Sequence, residues 1–228
     1  MTRDKILIFL HHQRCGGTTF REITKQIHVV PYRTLTVDKL IDKAVAVNPP
    51  CIEVEPGLYF DTKYDFDYCT TIRDPIDRLL SFVELHSRKG IIKLPGRDGI
   101  KTNDEFWVSG IKYLESLRQC NVFIRSISMK IRSTLTAEDV GLAMTRLSNM
   151  PILAFHKKTF PEDISVFLNV LGLTQRKPVD VYMKGSDEFV DAIPSWVRPV
   201  LENLNMHDIQ LWRWLNSVTN SNNIYIPN

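Results

Sequence analysis

The sequence predicts an α/β fold: one domain spanning residues 1–228, built on a central, mostly parallel sheet flanked by helices. Two observations lead to this expectation. Short apolar runs of the type buried on both faces alternate with segments of helical periodicity, and two of those runs pass directly into signals for a helix start. A chain of 228 residues also has enough material for one substantial core, which two very small domains would lack.

Lys5 to Leu10 is a continuous apolar strand, and the Gly-Gly-Thr-Thr turn after it opens a helix that Thr18 or Thr19 can cap, with Phe20, Ile23 and Ile27 on its apolar face. A weaker helix covers Val37 to Val47 and stops at Asn48-Pro49-Pro50. Cys51 to Phe60 and Tyr68 to Ile72 read as strands. The second enters Arg73-Asp74-Pro75, where Asp74 suits the N-cap and Pro75 the first helical position, and the following helix puts Ile76, Leu79, Leu80 and Val83 on one face up to Gly90. Further helices are expected at Asp104 to Ser128, Ala137 to Asn149 with Thr136 as cap, Pro161 to Leu171 and Trp196 to Ser217, with a short buried strand at Pro151 to Phe155. Residues 88–102 read as a basic surface loop bordering a substrate cleft, and Trp107, Trp196, Trp212 and Trp214 as core.

Composition excludes several classes. The formal charge of +3, from 29 Lys and Arg against 26 Asp and Glu, gives no basis for nucleic-acid or membrane-surface binding. The apolar runs are far short of the roughly 20 residues that cross a bilayer, and the N-terminus has no secretory signal. Cys15, Cys51, Cys69 and Cys120 form no Cys-x-x-Cys pair, so neither a zinc site nor a disulfide framework is indicated and a reducing cytoplasm is the expected setting.

The chemistry concentrates in two strand-to-helix junctions. In His11-His-Gln-Arg-Cys-Gly-Gly-Thr-Thr-Phe-Arg-Glu22, Gly16 and Gly17 let backbone amides approach an oxyanion, Thr18 and Thr19 add hydroxyls at a helix N-terminus, and Arg14 adds charge. It is not the nucleotide-triphosphate loop, since no Lys follows the glycines. The same stretch contains Cys15 and Arg21 in Cys-x5-Arg spacing, so a cysteine-dependent phosphatase with Cys15 as nucleophile and Arg21 as anion clamp is an open alternative. In the second junction Arg73 ends a strand, Asp74-Pro75 starts a helix and Ser81 follows two turns in, so a guanidinium and a hydroxyl can share one phosphate. Two such junctions suggest a ligand with anionic groups at both ends.

At these residues the sequence resembles a known family. Leu10 to Phe20 is similar to the 5'-phosphosulfate loop of sulfotransferases that use 3'-phosphoadenosine 5'-phosphosulfate (PAPS), closest to the carbohydrate 2-O and 6-O type, as on heparan sulfate, and its bacterial relatives. Thr71-Ile-Arg-Asp-Pro-Ile-Asp-Arg-Leu-Leu-Ser81 resembles their 3'-phosphate motif, Arg-Asp-Pro-x-x-Arg-x-x-Ser. Weaker similarity runs through Asn121 to Arg125, residues 136–172 and Asn205 to Asp208. The resemblance implies the P-loop NTPase-like sulfotransferase fold, with Arg14, standing where the family usually has Lys, on the transferring sulfuryl. It further implies Cys15, Gly16, Gly17, Thr18 and Thr19 at the 5' end, with Arg73 and Ser81 on the 3'-phosphate. Cys15 departs from the usual Thr and contributes an amide only, and Arg125 would lie near the cofactor or substrate.

Sulfuryl transfer of this kind is an in-line displacement that leaves 3'-phosphoadenosine 5'-phosphate (PAP). It needs no metal, but the acceptor alcohol needs a general base. Relatives place a His before the second motif in a Gly-His-Phe-Pro-like strand end. Here the stretch reads Cys51-Ile-Glu-Val-Glu-Pro-Gly-Leu58, which puts Glu53 in the His register with Glu55 on the same strand face. Glu53 and Glu55 are therefore the candidate bases, and His11 and His12 compete with them. The resemblance implies an acceptor hydroxyl on a saccharide or glycolipid, and nothing in the sequence bears on oligomeric state. A chain of this fold that binds PAPS or PAP without turnover is the second alternative. A Golgi lumenal relative would carry an N-terminal anchor; with Met1 almost on the first strand, a soluble bacterial enzyme is the expectation and an excised lumenal domain the alternative.

Overall fold

The computed structural model describes residues 5–24, 27–31, 41–42, 45–47, 49–55, 59–60, 63–91, 104–130, 134–176 and 193–227, with the backbone alone for 27–31 and Glu55. Its centre is a six-stranded sheet of β1 (Leu7–Leu10), β2 (Ile27–Pro31), β3 (Cys51–Glu55), β4 (Asp67–Arg73), β5 (Ile152–Phe155) and β6 (Ile224–Tyr225). The spatial order is β2-β3-β1-β4-β5-β6, parallel except for the edge strand β6. The α/β class with a mostly parallel sheet flanked by helices is therefore as expected.

Strand order fixes the location of the site. The chain leaves β1 for β2 on one side of the sheet and leaves β4 for β5 on the other, while β1 and β4 are neighbours paired Leu7↔Asp67 to Leu10↔Thr70. Connections that part in this way open a crevice at the carboxyl ends of the two strands, where open α/β sheets bind ligands. Both strand-to-helix junctions singled out in the sequence leave from those ends. The Thr70 hydroxyl donates to the Leu10 carbonyl at 2.8 Å and fixes their relative height.

Alternation along the strands divides the core in two. Leu7, Phe9, Cys51, Cys69, Leu153 and Phe155 face α1 (Gly17–Thr24) and the Phe160–Val170 helix. Ile8, Leu10, Ile52, Val54, Ile72, Ile152 and Ala154 face helices on the opposite side, among them Val122–Ser128, Ala137–Leu147 and Met206–Val218. In chain order the remaining helices are α2 (Pro75–Arg88), α3 (Asp104–Ser116), α4 (Val122–Ser128), α5 (Ala137–Leu147), α6 (Phe160–Val170), α7 (Val197–Leu204) and α8 (Met206–Val218). A third apolar cluster joins α2 to α3 and α7 through Leu79, Phe82, Phe106, Trp107 and Leu201. Asp74 caps α2 as expected, its Oδ1 accepting from the Ile76 and Asp77 amides at 2.9 and 3.0 Å, and Thr136 forms a capping box with Asp139 on α5.

Several boundaries differ from the sequence reading. The helix expected over Asp104 to Ser128 is two, α3 and α4, because Arg118 and Asn121 adopt positive φ between them. That expected over Trp196 to Ser217 breaks at Asn205. Of the strand expected over Cys51 to Phe60, Cys51–Glu55 is strand, residues 56–58 lie outside the described residues and 59–60 are not strand; Ile27 belongs to β2, a strand the sequence reading missed, as it missed β6. Helix α1 begins at Gly17, so Thr18 and Thr19 lie inside its first turn and do not cap it. Of the Val37 to Val47 helix, 41–42 and 45–47 are helical and the rest lies outside the described residues, as does most of the 88–102 loop.

The two breaks meet in space and cap each other. The Asn121 side chain accepts from the His207 and Asp208 amides at 3.0 and 3.1 Å, at the start of α8. Asp208 in turn accepts from the Phe123 and Ile124 amides at 3.1 and 2.9 Å, at the start of α4. Each helix thus supplies the other's missing acceptors. Asn121→Ala should lower stability by about 2 kcal/mol, a fall in Tm of about 4–8 °C read by differential scanning calorimetry.

Candidate active site

The first loop is built by contacts that only glycine permits. Gly16 has φ +84, and a Cβ there would stand 2.6 Å from the Phe160 ring and 3.0 Å from that of Phe155. A Cβ on Gly17 would enter the His11 ring, 2.5 Å from Cε1 and closer to Cδ2 and Nε2. The chain can therefore turn from β1 into α1 in this way only with two glycines. The first amides of α1 have no acceptor within the helix, and they face the crevice mouth with a positive dipole end behind them.

Glu53 holds this loop from both sides. Its side chain is fully buried on β3, accepts from His11 Nδ1 at 2.7 Å and Arg21 Nε at 2.9 Å, and is further paired with Arg21 Nη2. Burial by itself would push the carboxyl up, but the hydrogen bonds from His11 and Arg21 outweigh it and hold the group below the usual carboxylate range. Arg21, the anion clamp of the Cys-x5-Arg alternative, is a structural partner of Glu53. Glu55 ends β3 at the same carboxyl edge, in register with Pro31; its side chain lies outside the described residues.

Cys15 sits beneath the loop with no solvent exposure, and burial pushes its thiol up to about 11 although Arg78 and Arg73 pull the other way. With that thiol protonated and Arg21 committed to Glu53, the Cys-x5-Arg pair lacks both a nucleophile and a clamp. The sulfur is instead a packing atom, in hydrogen-bond contact with the Arg73 backbone amide.

The second junction meets the first directly. Arg14, at φ 68, donates from Nε and Nη2 to Ser81 Oγ at 2.9 and 2.8 Å. Arg73 is buried to 8% exposure with its guanidinium 5.2 Å from the centre of the Phe155 ring, the same ring that confines Gly16. The loop, the end of β4 and the face of α2 thus form one cationic wall. Arg78, which sequence alone allows as an exposed helix residue, is 1% exposed and hydrogen-bonds Gln119 Oε1 at 3.0 Å and the Gln119 carbonyl. Arg125 donates to the Cys120 and Lys130 carbonyls.

Two features escaped the sequence reading. Glu84, one turn beyond Ser81 on α2, is a buried carboxylate paired with Arg88; burial pushes it up despite Arg88, Arg14, Lys157 and Arg73 around it. The spacing Ser81 to Glu84 was the available signal. The other is a cleft of about 470 Å³ beside Arg73, lined among others by Phe155, His156, Lys157, Trp212 and Asn223. Trp212 packs against the core as expected and also forms part of the cleft wall; Trp107 is core as expected. Among the described residues no group of three His, Cys, Asp or Glu could hold a metal, and no helix is long and apolar enough to cross a membrane.

Two buried titratable groups lie under the site with opposite pH behaviour. Burial, then Arg78 and His11, lowers His12 to about 3, and burial raises Asp208 to about 6 against the amide hydrogen bonds. Between about pH 4 and 6 the unfolded chain protonates His12 while the folded chain does not, so that group makes stability rise with pH. Over the same window folded Asp208 keeps a proton that the unfolded chain loses, so it makes stability fall as pH rises. The two nearly cancel. Urea denaturation of Asp208→Asn should show stability climbing with pH and His12→Gln should show it falling, each by up to about 1.4 kcal/mol per pH unit. Glu53→Gln should cost about 3 kcal/mol, the low end for a broken buried pair because Arg21 is partly solvated, read as a drop in the urea midpoint.

No family model matches the chain, and no curated protein matches it. Among solved structures it is similar to a sulfotransferase from Alicyclobacillus acidocaldarius, with a TM-score of 0.44 and 14% identity over 93% of this chain and 100% of that one.

Proposed function

We propose that the protein is a sulfotransferase that moves a sulfuryl group from PAPS to an acceptor hydroxyl by in-line displacement, releasing PAP. The observation that carries this reading is the direct contact between the two oxyanion junctions, Arg14 of the first on Ser81 of the second, at the crevice between β1 and β4. A ligand with anionic groups at both ends fits that arrangement, and the resemblance of both motifs to the PAPS-binding ones supplies its identity.

In this reading the 5' end lies on the loop. The amides of Gly16 to Thr19 and the hydroxyls of Thr18 and Thr19 face the charge that builds on the bridging oxygen as the nucleotide leaves, a preorganised stabilisation that can contribute several kcal/mol; the Cys15 amide expected to join them donates instead to the His12 carbonyl at 3.3 Å. Arg73 and Ser81 take the 3'-phosphate. The neighbouring cleft, with Trp212 and Phe155 as apolar walls and Lys157 at its edge, accommodates the nucleoside. Since both oxygens of Glu53 are engaged by Arg21 and His11, Glu55 at the end of β3 is the proposed general base and Glu53 its rigid support. The acceptor is a hydroxyl of a saccharide or glycolipid, and the reaction calls for no metal.

Thermal shift and mass spectrometry test this together. PAP at millimolar concentration should raise Tm and Arg73→Ala should remove the shift, whereas no shift in the wild type would refute both this reading and that of an inactive PAP-binding protein. With PAPS, one member of a saccharide and glycolipid panel should gain the mass of a sulfuryl group. Glu55→Gln should slow that turnover by about 10²-fold with the PAP shift intact.

A further inference from the structure

The wall of the cleft includes an amide side chain whose two ends are chemically distinct. Asn223 stands immediately before β6 at φ 54, in the left-handed region that asparagine enters more readily than most residues. Its carbonyl accepts from the Ala154 amide of β5 at 2.8 Å, and its own amide donates to the Asn220 carbonyl at 2.9 Å. The backbone is thus pinned to the sheet on one side and to the turn before β6 on the other. From there the side chain reaches the start of α6 at the cleft wall.

The partners of that amide decide which atom is left for a ligand. Nδ2 donates to Asp163 Oδ2 at 2.9 Å and to Thr159 Oγ1 at 3.2 Å, which uses both of its protons. Asp163 is 2% exposed, so turning the amide round would set Oδ1 against a buried carboxylate. Oδ1 remains as an acceptor that no donor meets among the described residues, on a residue lining the cleft. The cations of the cleft, Arg73, Lys157 and Lys158, cannot accept a hydrogen bond. Asp74 commits Oδ1 to the cap of α2 and lies with Asp77 at the Arg73 end.

Arg73 ends β4, and β4, β5 and β6 are neighbours, so Asn223 stands two strand spacings, about 10 Å, from Arg73. A nucleoside with its sugar at Arg73 and its base between Phe155 and Trp212 meets Asn223 with the edge of that base. We infer that Asn223 is the base-selecting residue of the cleft: Oδ1 accepts from the exocyclic amino group of adenine and rejects a purine with a carbonyl there, and Asp163 is the positioning residue that holds the amide in this orientation. Against a carbonyl two acceptors would face each other, the kind of mismatch that hydrogen-bonding sites reject most strongly. This rests on the sulfotransferase reading and adds how its nucleoside end is told from other purine nucleotides.

Isothermal titration calorimetry with PAP and inosine 3',5'-bisphosphate, which carries a carbonyl in place of the amino group, tests this. The wild type should bind PAP about 30-fold more tightly than the inosine compound. Asn223→Ala should bring the two affinities within about 3-fold, chiefly by weakening PAP. Asp163→Asn leaves every cleft-lining residue in place and should erase the preference too, because the Asn223 amide can then turn and present Nδ2, an effect that lost packing alone would not give. A wild type that binds both probes equally, or variants that keep its preference, would overturn the inference and leave the sulfotransferase reading standing. A wild type that binds neither probe would overturn both.

Discussion

The arrangement depends on one buried carboxylate. Glu53 stands on a central strand of the sheet and reaches His11 before the glycine turn and Arg21 after it, so the flanks of the anion loop are tied to the same atom pair. A loop whose task is to present amides must not relax toward its own acceptors, and the glycines that give it close approach also give it freedom. The buried ion pair removes that freedom. Its desolvation cost makes it a weak source of net stability, and what it contributes is a fixed geometry.

The glycine pair shows the same constraint from the other side. Seen from the sequence, Gly16 and Gly17 serve a ligand. In the fold they are equally required by the protein, since Phe160 and Phe155 close on Gly16 and the His11 ring closes on Gly17. Because Phe155 also lies against the Arg73 guanidinium, any shift of the loop reaches Arg73 through one aromatic ring. The two junctions are thus coupled by packing, through a dense interior that resists small displacements.

The parts legible in sequence were those with local causes. Strands β1 and β4, the Asp74 cap and the capping box at Thr136 each follow from neighbouring residues. Alternation puts Glu53 and Glu55 on one strand face, but it cannot say that α1 covers the sheet at Glu53 and brings Arg21 to it. The breaks at 117–121 and at Asn205 were missed because apolar periodicity continues across them; what ends the helices is the reciprocal capping of α4 and α8, which joins residues 84 to 87 positions apart. Arg78 looked like a solvated helix residue for the same reason, since Gln119 and Phe123 reach it only in the fold.

Beneath the loop, the polar layer explains why these distant segments matter to the site. Arg78 lies under Cys15, acts on His12 and Asp208, and is held by the Gln119 backbone just before Asn121 starts the α4 cap. His12 stays neutral, with Nδ1 3.4 Å from Ser126 Oγ on α4 and its ring edge-on to Phe123. A protonated His12 would add a second buried cation beside Arg78, under a loop that already carries Arg14 and next to β4, which ends at Arg73. Keeping the imidazole neutral leaves Arg78 as the cation of this buried layer. The weak similarity around Asn121 and Asn205 to Asp208 therefore has a physical content that motif comparison alone does not convey: these residues form the floor on which the anion loop rests.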